Sequence, residues 1–266
     1  MYVIYDCHMH TVNSDGRSTI DQMCESAIQK GVSGIAITDH ADMNFYESRD
    51  TYNRIKGAIG KIRQAQEAWS DKLEVSCGVE LGEYLYEPES AKKILGLTDY
   101  DQILCSVHLV PAARWEKPYN RIDFANDCSE EELGQYMGMY FDLLSDTMDA
   151  FDFDILAHIA CPVRYMTTKH GRYIDVMRFE PQIKEILKKV IDRGIALEWN
   201  SAGMHFNEEI FALYYSLGGR LVTLGSDAHG HEDIARGFDK FRAHLKSCGF
   251  THYHYYKNRQ PQAVVL

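Results

Sequence analysis

The stretch "YDCHMHTVNSDGRST", residues 5–19, starts in an apolar run and ends where a helix begins. The run "YVIYDC" reads as a strand. His8 and His10 follow at its end, one residue apart, and Asp15 comes five residues later. "STIDQMCESAIQKG" (18–31) then reads as a helix, with Ser18 as N-cap, Asp21 three residues on and Gly31 as the stop. The unit is strand, polar turn, helix.

Outward from this unit the same order recurs. "GIAIT" (34–38) precedes a helical pattern over about residues 48–69, and "LEVSCGVE" (73–80) precedes "ESAKKILG". "DQILCSV" (101–107) leads to "SEEELGQYMGMYFDLLSDTM", capped by Ser129. "FDILAHI" (153–159) leads to "PQIKEILKKVIDRG", which Gly194 ends. "IALEWN" (195–200) leads to "EEIFALYYSLGG", and "LVTLGS" (221–226) to "DIARGFDKFRAHLKSCG". "FTHYHYY" (250–256) reads as a last short strand. Seven βα units in succession predict a parallel sheet with helices outside. The runs are nearly continuous in apolar residues, as strands buried on both faces require. No GxGxxG follows the first strand, so a closed or distorted barrel fits better than an open dinucleotide-binding sheet. No Gly/Ser/Pro-rich linker interrupts residues 1–266, which predicts a single domain.

Composition bounds the function. The 266 residues carry a formal net charge of −11, which disfavours a broad nucleic-acid surface. A small anionic substrate remains compatible, because a local cation cluster overrides the overall field. The seven cysteines are irregularly spaced with no CxxC pair, so neither a disulfide framework nor a zinc ribbon is indicated. No secretory signal pattern or membrane-length apolar run is present, and the expectation is a cytoplasmic chain with reduced thiols and no membrane partner. Nothing in the pattern fixes an oligomeric state.

The strands end in metal-binding residue types. His8 and His10 end the first, Asp39 and His40 the second, Glu80 the third, His108 the fourth, His158 the fifth, and Asp227 and His229 the seventh. Six of the twelve histidines fall at such ends. In a parallel barrel these ends converge on the face that carries active sites. Alternate strand residues point the same way, so His8 and His10 present two imidazoles to one point. A lone strand-end histidine is ordinarily a hydrogen-bonded core residue. Nine histidines and carboxylates together are too many polar groups to bury without counter-charge, and cations supply it. His170, His231, His244, His252 and His254 are read as structural.

"DCHMHT", "TDH", the glutamate of "GVE", "SVH", the "AH" of "ILAHI" and "GSDAH" resemble, in order, the motifs of the PHP (polymerase and histidinol phosphatase) superfamily. "FDILAHIACPVRY" and "LKSCGFTHYHYYKNRQP" resemble most its monofunctional histidinol-phosphatase branch. The resemblance implies a distorted (β/α)7 barrel with two to three divalent or trivalent ions, usually zinc, iron or manganese. By that resemblance His8, His10, Glu80 and Asp227 hold one ion. Glu80, His108 and His158 hold a second, with Glu80 bridging, and Asp15, His40 and His229 hold a third. The implied reaction is hydrolysis of a small phosphate monoester, foremost L-histidinol phosphate, by a metal-bridging hydroxide without a covalent intermediate. Cys7 is then a packed strand residue and not a nucleophile.

Around this set the readings are more open. Asp39 either orients an imidazole or caps a helix. Arg17 either reaches the phosphate or stays solvated. Arg164 lies where that branch usually has a basic residue and is a candidate substrate contact. Trp115, Lys117 and Arg121 lie in a loop after the fourth strand that either shapes the pocket or remains surface. His205, in "NSAGMHFNEE", stands where the branch usually has an arginine. Histidine cannot clamp phosphate bidentately, so other substrates stay open: a nucleotide, a phosphotyrosyl protein or another small phosphate. An amidohydrolase also opens with HxH, but no carboxylated-lysine position is evident after a middle strand. The alternative of another class is a non-catalytic metal-binding regulatory protein. The intact set of nine donors argues against it.

Overall fold

The structure, a computed structural model, describes residues 3–111, 117–203 and 208–266. Its first strands are β1 (Tyr5–Asp6), β2 (Gly34–Ile37), the short β3 (His40–Asp42) and the long β4 (Glu74–Gly82). They are followed by β5 (Gln102–Ser106), β6 (Ile155–Leu156), β7 (Ala196–Asn200) and β8 (Val222–Gly225). A hairpin of β9 (His252–Lys257) and β10 (Gln260–Val265) ends the chain. β1, β2, β4, β5, β6, β7 and β8 pair in that order, all parallel. The ring then closes. Met9 bridges Ala228 in parallel, Cys7 N donates to Leu224 O at 2.9 Å, and Asp227 N donates to His8 O at 2.9 Å. The expected seven-stranded parallel barrel is the observed fold.

The helices are α1 (Ile20–Gln29), α2 (Thr51–Trp69), α3 (Pro88–Leu95) and α4 (Glu130–Ala150). After these come α5 (Cys161–Arg164), α6 (Glu180–Asp192), α7 (Glu208–Ser216) and α8 (Phe238–Cys248). α6 shows why they form. Pro181 sits in its first turn, Ile183, Ile186, Leu187 and Val190 line one buried face, and Gly194 leaves the helix at φ +65°. A second, small apolar cluster joins Cys7, Leu104, Ile155, Ala157 and Ala196. These residues come from opposite walls of the ring, so the cluster fills the inside of the barrel. Cys7 is thus a packed residue, 2% exposed. No helix among the described residues is long and apolar enough to cross a membrane.

Four details differ from the sequence reading. The N-cap of α1 is Thr19, not Ser18: Thr19 and Gln22 form a reciprocal capping box. Ser18 is diverted because its hydroxyl lies 3.0 Å from His231 Nδ1 and accepts from His231 N. α2 starts at Thr51 rather than near residue 48, because Asp50 is left-handed at φ +47°. α8 starts at Phe238 rather than residue 233, because Ala235 and Gly237 are both left-handed. β3 and β10 were not anticipated. Ser129 caps α4 with a full capping box to Glu132, as expected. Ser129→Ala is therefore expected to lower unfolding free energy by about 1 kcal/mol, measurable as a reduced urea midpoint at constant slope.

Candidate metal centre

The barrel's closure brings the strand ends to one mouth, and Glu80 near the end of β4 is its centre. It is fully buried. Its Oε2 lies 2.9 Å from His40 Nδ1, 3.2 Å from His8 Nε2 and 3.4 Å from His10 Nε2. Its Oε1 lies 2.8 Å from His158 Nε2 and 3.3 Å from His108 Nε2. Register accounts for the closest neighbour on Oε2, since β3 pairs with β4 so that His40 stands directly beside Glu80. The Nε2 atoms of His8 and His10 are 3.0 Å apart, as the HxH spacing predicts.

A second focus forms on the β8 side. Asp227 Oδ1 is 3.1 Å from His10 Nε2 and 3.6 Å from His229 Nδ1. Asp15 Oδ1 lies 3.3 Å from His229 Nε2 and 3.6 Å from His40 Nε2. The nine side chains that the resemblance implied as ligands, Asp15 among them, therefore meet at one mouth. Their donor atoms form overlapping groups within 4.8 Å: His8 with Glu80 and His158; His8 with His10 and Asp227; His40 with Glu80 and His108; and His10 with Asp15, His40 and His229. The backbone is strained there, with His158 at φ +25° and Asp227 at φ +52°.

The charges reinforce one another. Burial pushes the Glu80 carboxyl up, but the His40, His8 and His108 imidazoles outweigh it and hold it well below the usual range. Asp227 is likewise held down by His10, His8 and His229 against its burial. Burial, with His40 and His229 nearby, lowers His10 to about 3. His40 is desolvated too, yet Glu80 and Asp42 raise it to about 9. The donor set suits a metal. The Nε2 atoms of His8 and His10 lie 3.0 Å apart and both face the Glu80 carboxylate, an arrangement that a shared cation satisfies. His40 Nδ1 is close to Glu80 without an aligned hydrogen bond to it. Mixed imidazole and carboxylate ligation fits zinc, iron or manganese.

The surrounding candidates divide. Arg164, at the end of α5, lines the mouth and donates from Nη1 to Asp227 Oδ2 at 3.2 Å. Arg17 also lines the mouth but is mostly exposed and pairs with Glu232 at 2.5 Å. Asp39 does neither of the two things expected of it. Its carboxylate accepts from Thr11 N, Thr11 Oγ1 and Ser14 Oγ, so it ties down the turn after the HxH pair. Arg121 lines the mouth, whereas Lys117 reaches toward Asp127, 4.0 Å away. Trp115 and His205 lie outside the described residues. The mouth is a cavity of about 420 Å³. Arg17, Arg49, Arg121, Arg164 and Arg236 line it beside the carboxylates of Asp15, Asp42, Glu83, Asp227 and Asp233, so an acidic chain gathers five guanidinium groups here.

Sequence reasoning missed Asp42, Glu83 and Glu198. Asp42 Oδ1 lies 3.3 Å from His108 Nδ1. Glu83 accepts from the backbone N–H groups of His108 and Leu109. Glu198 Oε1 is 2.6 Å from His8 Nδ1. The available signals were slight: a glutamate three residues beyond Glu80, and one charge inside the apolar run "IALEWN".

A closed parallel barrel with this donor set at its C-terminal mouth is the architecture of a metal-site barrel. A family model for the PHP domain matches residues 6–202, most of the chain, and the chain belongs to that family. It is 27% identical over 254 residues to the "Probable histidinol-phosphatase" of Clostridium acetobutylicum, covering 92% of this chain and 94% of that one. It is 26% identical over 259 residues to the "Probable histidinol-phosphatase" of Thermotoga maritima, covering 93% of each. The fold matches the crystal structure of the histidinol phosphate phosphatase of Lactococcus lactis, complexed with zinc, L-histidinol and phosphate. That match has a TM-score of 0.78 and 21% identity, and covers 97% of this chain and 98% of that one.

Glu83 gives this site a pH signature. Burial, and Asp42 beside it, raise its carboxyl from 4.5 to about 7 although His108 opposes them. The folded metal-free chain then holds an extra proton between these values. The stability it brings is complete below about 4.5 and is lost as pH rises through about 7. Glu83→Gln places its amide at the unpaired Oε2 position. Urea unfolding of metal-free protein is expected to show a smaller stability loss between pH 5 and 8 in the variant than in the wild type.

Proposed function

We propose that the chain is a metal-dependent phosphomonoesterase that hydrolyses L-histidinol phosphate to L-histidinol and phosphate. The observation that carries this reading is the convergence of nine imidazole and carboxylate side chains on a mouth rimmed by five arginines. The end-to-end match to proteins named histidinol-phosphatase selects the substrate. In this reading His8, His10, Asp15, His40, Glu80, His108, His158, Asp227 and His229 hold up to three ions, with Glu80 shared between two of them.

When bound, such ions supply Lewis acidity and a nucleophile at neutral pH. The protein's own part is positioning. Glu80 and Asp227 stay ionised in a buried site because the imidazoles around them favour the charged form. Arg164 stands against Asp227 with its guanidinium facing the cavity, placed to bind phosphate oxygens by charge-assisted hydrogen bonds. The other rim arginines draw a dianion into a chain that would otherwise repel it. Buried Cys7 needs no covalent role, and its thiol is pushed well up by burial.

The deciding experiment is phosphate release by purified, metal-analysed protein from L-histidinol phosphate, beside nucleotides, phosphotyrosyl peptide and other small monoesters. The expected result is a kcat/KM for histidinol phosphate far above the rest. Equal rates across the panel would remove the substrate assignment and leave the phosphoesterase. Bound metal with no turnover on any ester would overturn the enzyme reading. Arg164→Ala, assayed at saturating metal, is expected to lower kcat/KM roughly 10²-fold.

A further inference from the structure

Glu198 lies on β7, 1% exposed, out of reach of any substrate. Both of its oxygens are engaged. Oε1 lies 2.6 Å from His8 Nδ1. Oε2 accepts from the backbone N–H of His158 at 2.7 Å and from Asn200 Nδ2 at 3.2 Å. The carboxylate therefore spans the barrel interior from β7 to residues two places beyond the ends of β1 and β6. It grips the peptide of His158 where the backbone is left-handed at φ +25°. The chain makes room for it. A Cβ at Gly225 would collide with Glu198 Oε1 and stand 2.7 Å from His8 Cβ, so only glycine fits opposite this contact.

We propose that Glu198 is the positioning residue of the centre, an inference that rests on the metal-site reading above. Its carboxylate takes the Nδ1–H of His8, which leaves the Nε2 lone pair facing Glu80, His10 and Asp227. It also holds His158 in a backbone conformation that a β strand end would not keep unaided. One buried acid thus presets two donors on different strands.

The hydrogen bonding makes the role specific. The His158 N–H cannot become an acceptor. Asn200 is fixed as well, because its Oδ1 accepts from Ala202 N at 3.0 Å and its amide nitrogen must face Glu198. Oε2 is therefore an obligate acceptor position. In Glu198→Gln the amide oxygen must take that position, and the amide NH2 must face His8 Nδ1. Nδ1 then has to accept, and the imidazole proton moves to Nε2, the nitrogen that points at the metal site. An isosteric change turns His8 away from ligation without altering its place.

The test uses full-length wild type and Glu198→Gln loaded with zinc. Zinc affinity is measured by competition with a chromophoric chelator. The His8 tautomer is read from long-range proton–nitrogen spectra of 15N-histidine-labelled protein. In the wild type the His8 proton is expected on Nδ1. In Glu198→Gln one site is expected to bind zinc about 10- to 100-fold more weakly. A purely structural role would leave the tautomer alone. Unchanged zinc affinity in a folded Glu198→Gln protein would overturn this inference while leaving the metal reading intact. So would a zinc-loaded wild type with the His8 proton on Nε2, a result that needs no folded variant. Wild type that takes up no zinc, iron or manganese would overturn the metal reading and this inference with it.

Discussion

The fully buried carboxylate of Glu80 has five imidazole nitrogens within 3.4 Å. Such an arrangement is prohibitive in a low-dielectric interior unless the charges compensate. The surrounding structure supplies that compensation. His8 and His10 come from the end of β1, His40 from β3, His108 from beyond β5 and His158 from beyond β6. Only a closed ring brings the ends of those strands to one point. The barrel and the centre are one requirement: the segments at β1, β3, β5 and β6 deliver histidines to Glu80, and β7 and β8 close the ring that holds them together.

The same logic explains how an acidic protein offers a site for an anion. The net charge of −11 is spread over the surface, while the mouth carries arginines from separate segments of the chain. At a Debye length of about 8 Å in physiological salt, a substrate in the cavity feels the rim and not the far surface. Glu232 and Asp233 restrain Arg17, and Asp227 restrains Arg164. Arg164, held by a single carboxylate, remains available to a dianion that can compete for its hydrogen bond.

The barrel was legible because both of its signals are local. Near-continuous apolar runs mark strands buried on two faces, and amphipathic stretches between them mark the helices. The donors were legible because a histidine or carboxylate at a strand end stands out against such a run. What escaped depends on distant partners. Ser18 and Thr19 are both good caps, and the choice is made by His231, more than two hundred residues away. Asp39 looks like an orienting acid beside His40, yet the turn at Thr11–Ser14 claims its oxygens. Glu198 carries no periodic signature, since one acid in an apolar strand acquires meaning only when β1 and β6 arrive beside it. Its counterpart, the bare Cα of Gly225, reads in sequence only as part of the strand "LVTLGS".

The closure between β1 and β8 also sets an order of events during synthesis. His8 and His10 are made well before Asp227 and His229, which follow more than two hundred residues later. The backbone link from Asp227 N to His8 O cannot form until nearly the whole chain has emerged. Contacts of such long sequence separation form slowly. The nascent chain thus carries an HxH pair, and later Glu80, with no finished ring around them. Until the last barrel strand locks against the first, the donor groupings that include Asp227 and His229 are incomplete.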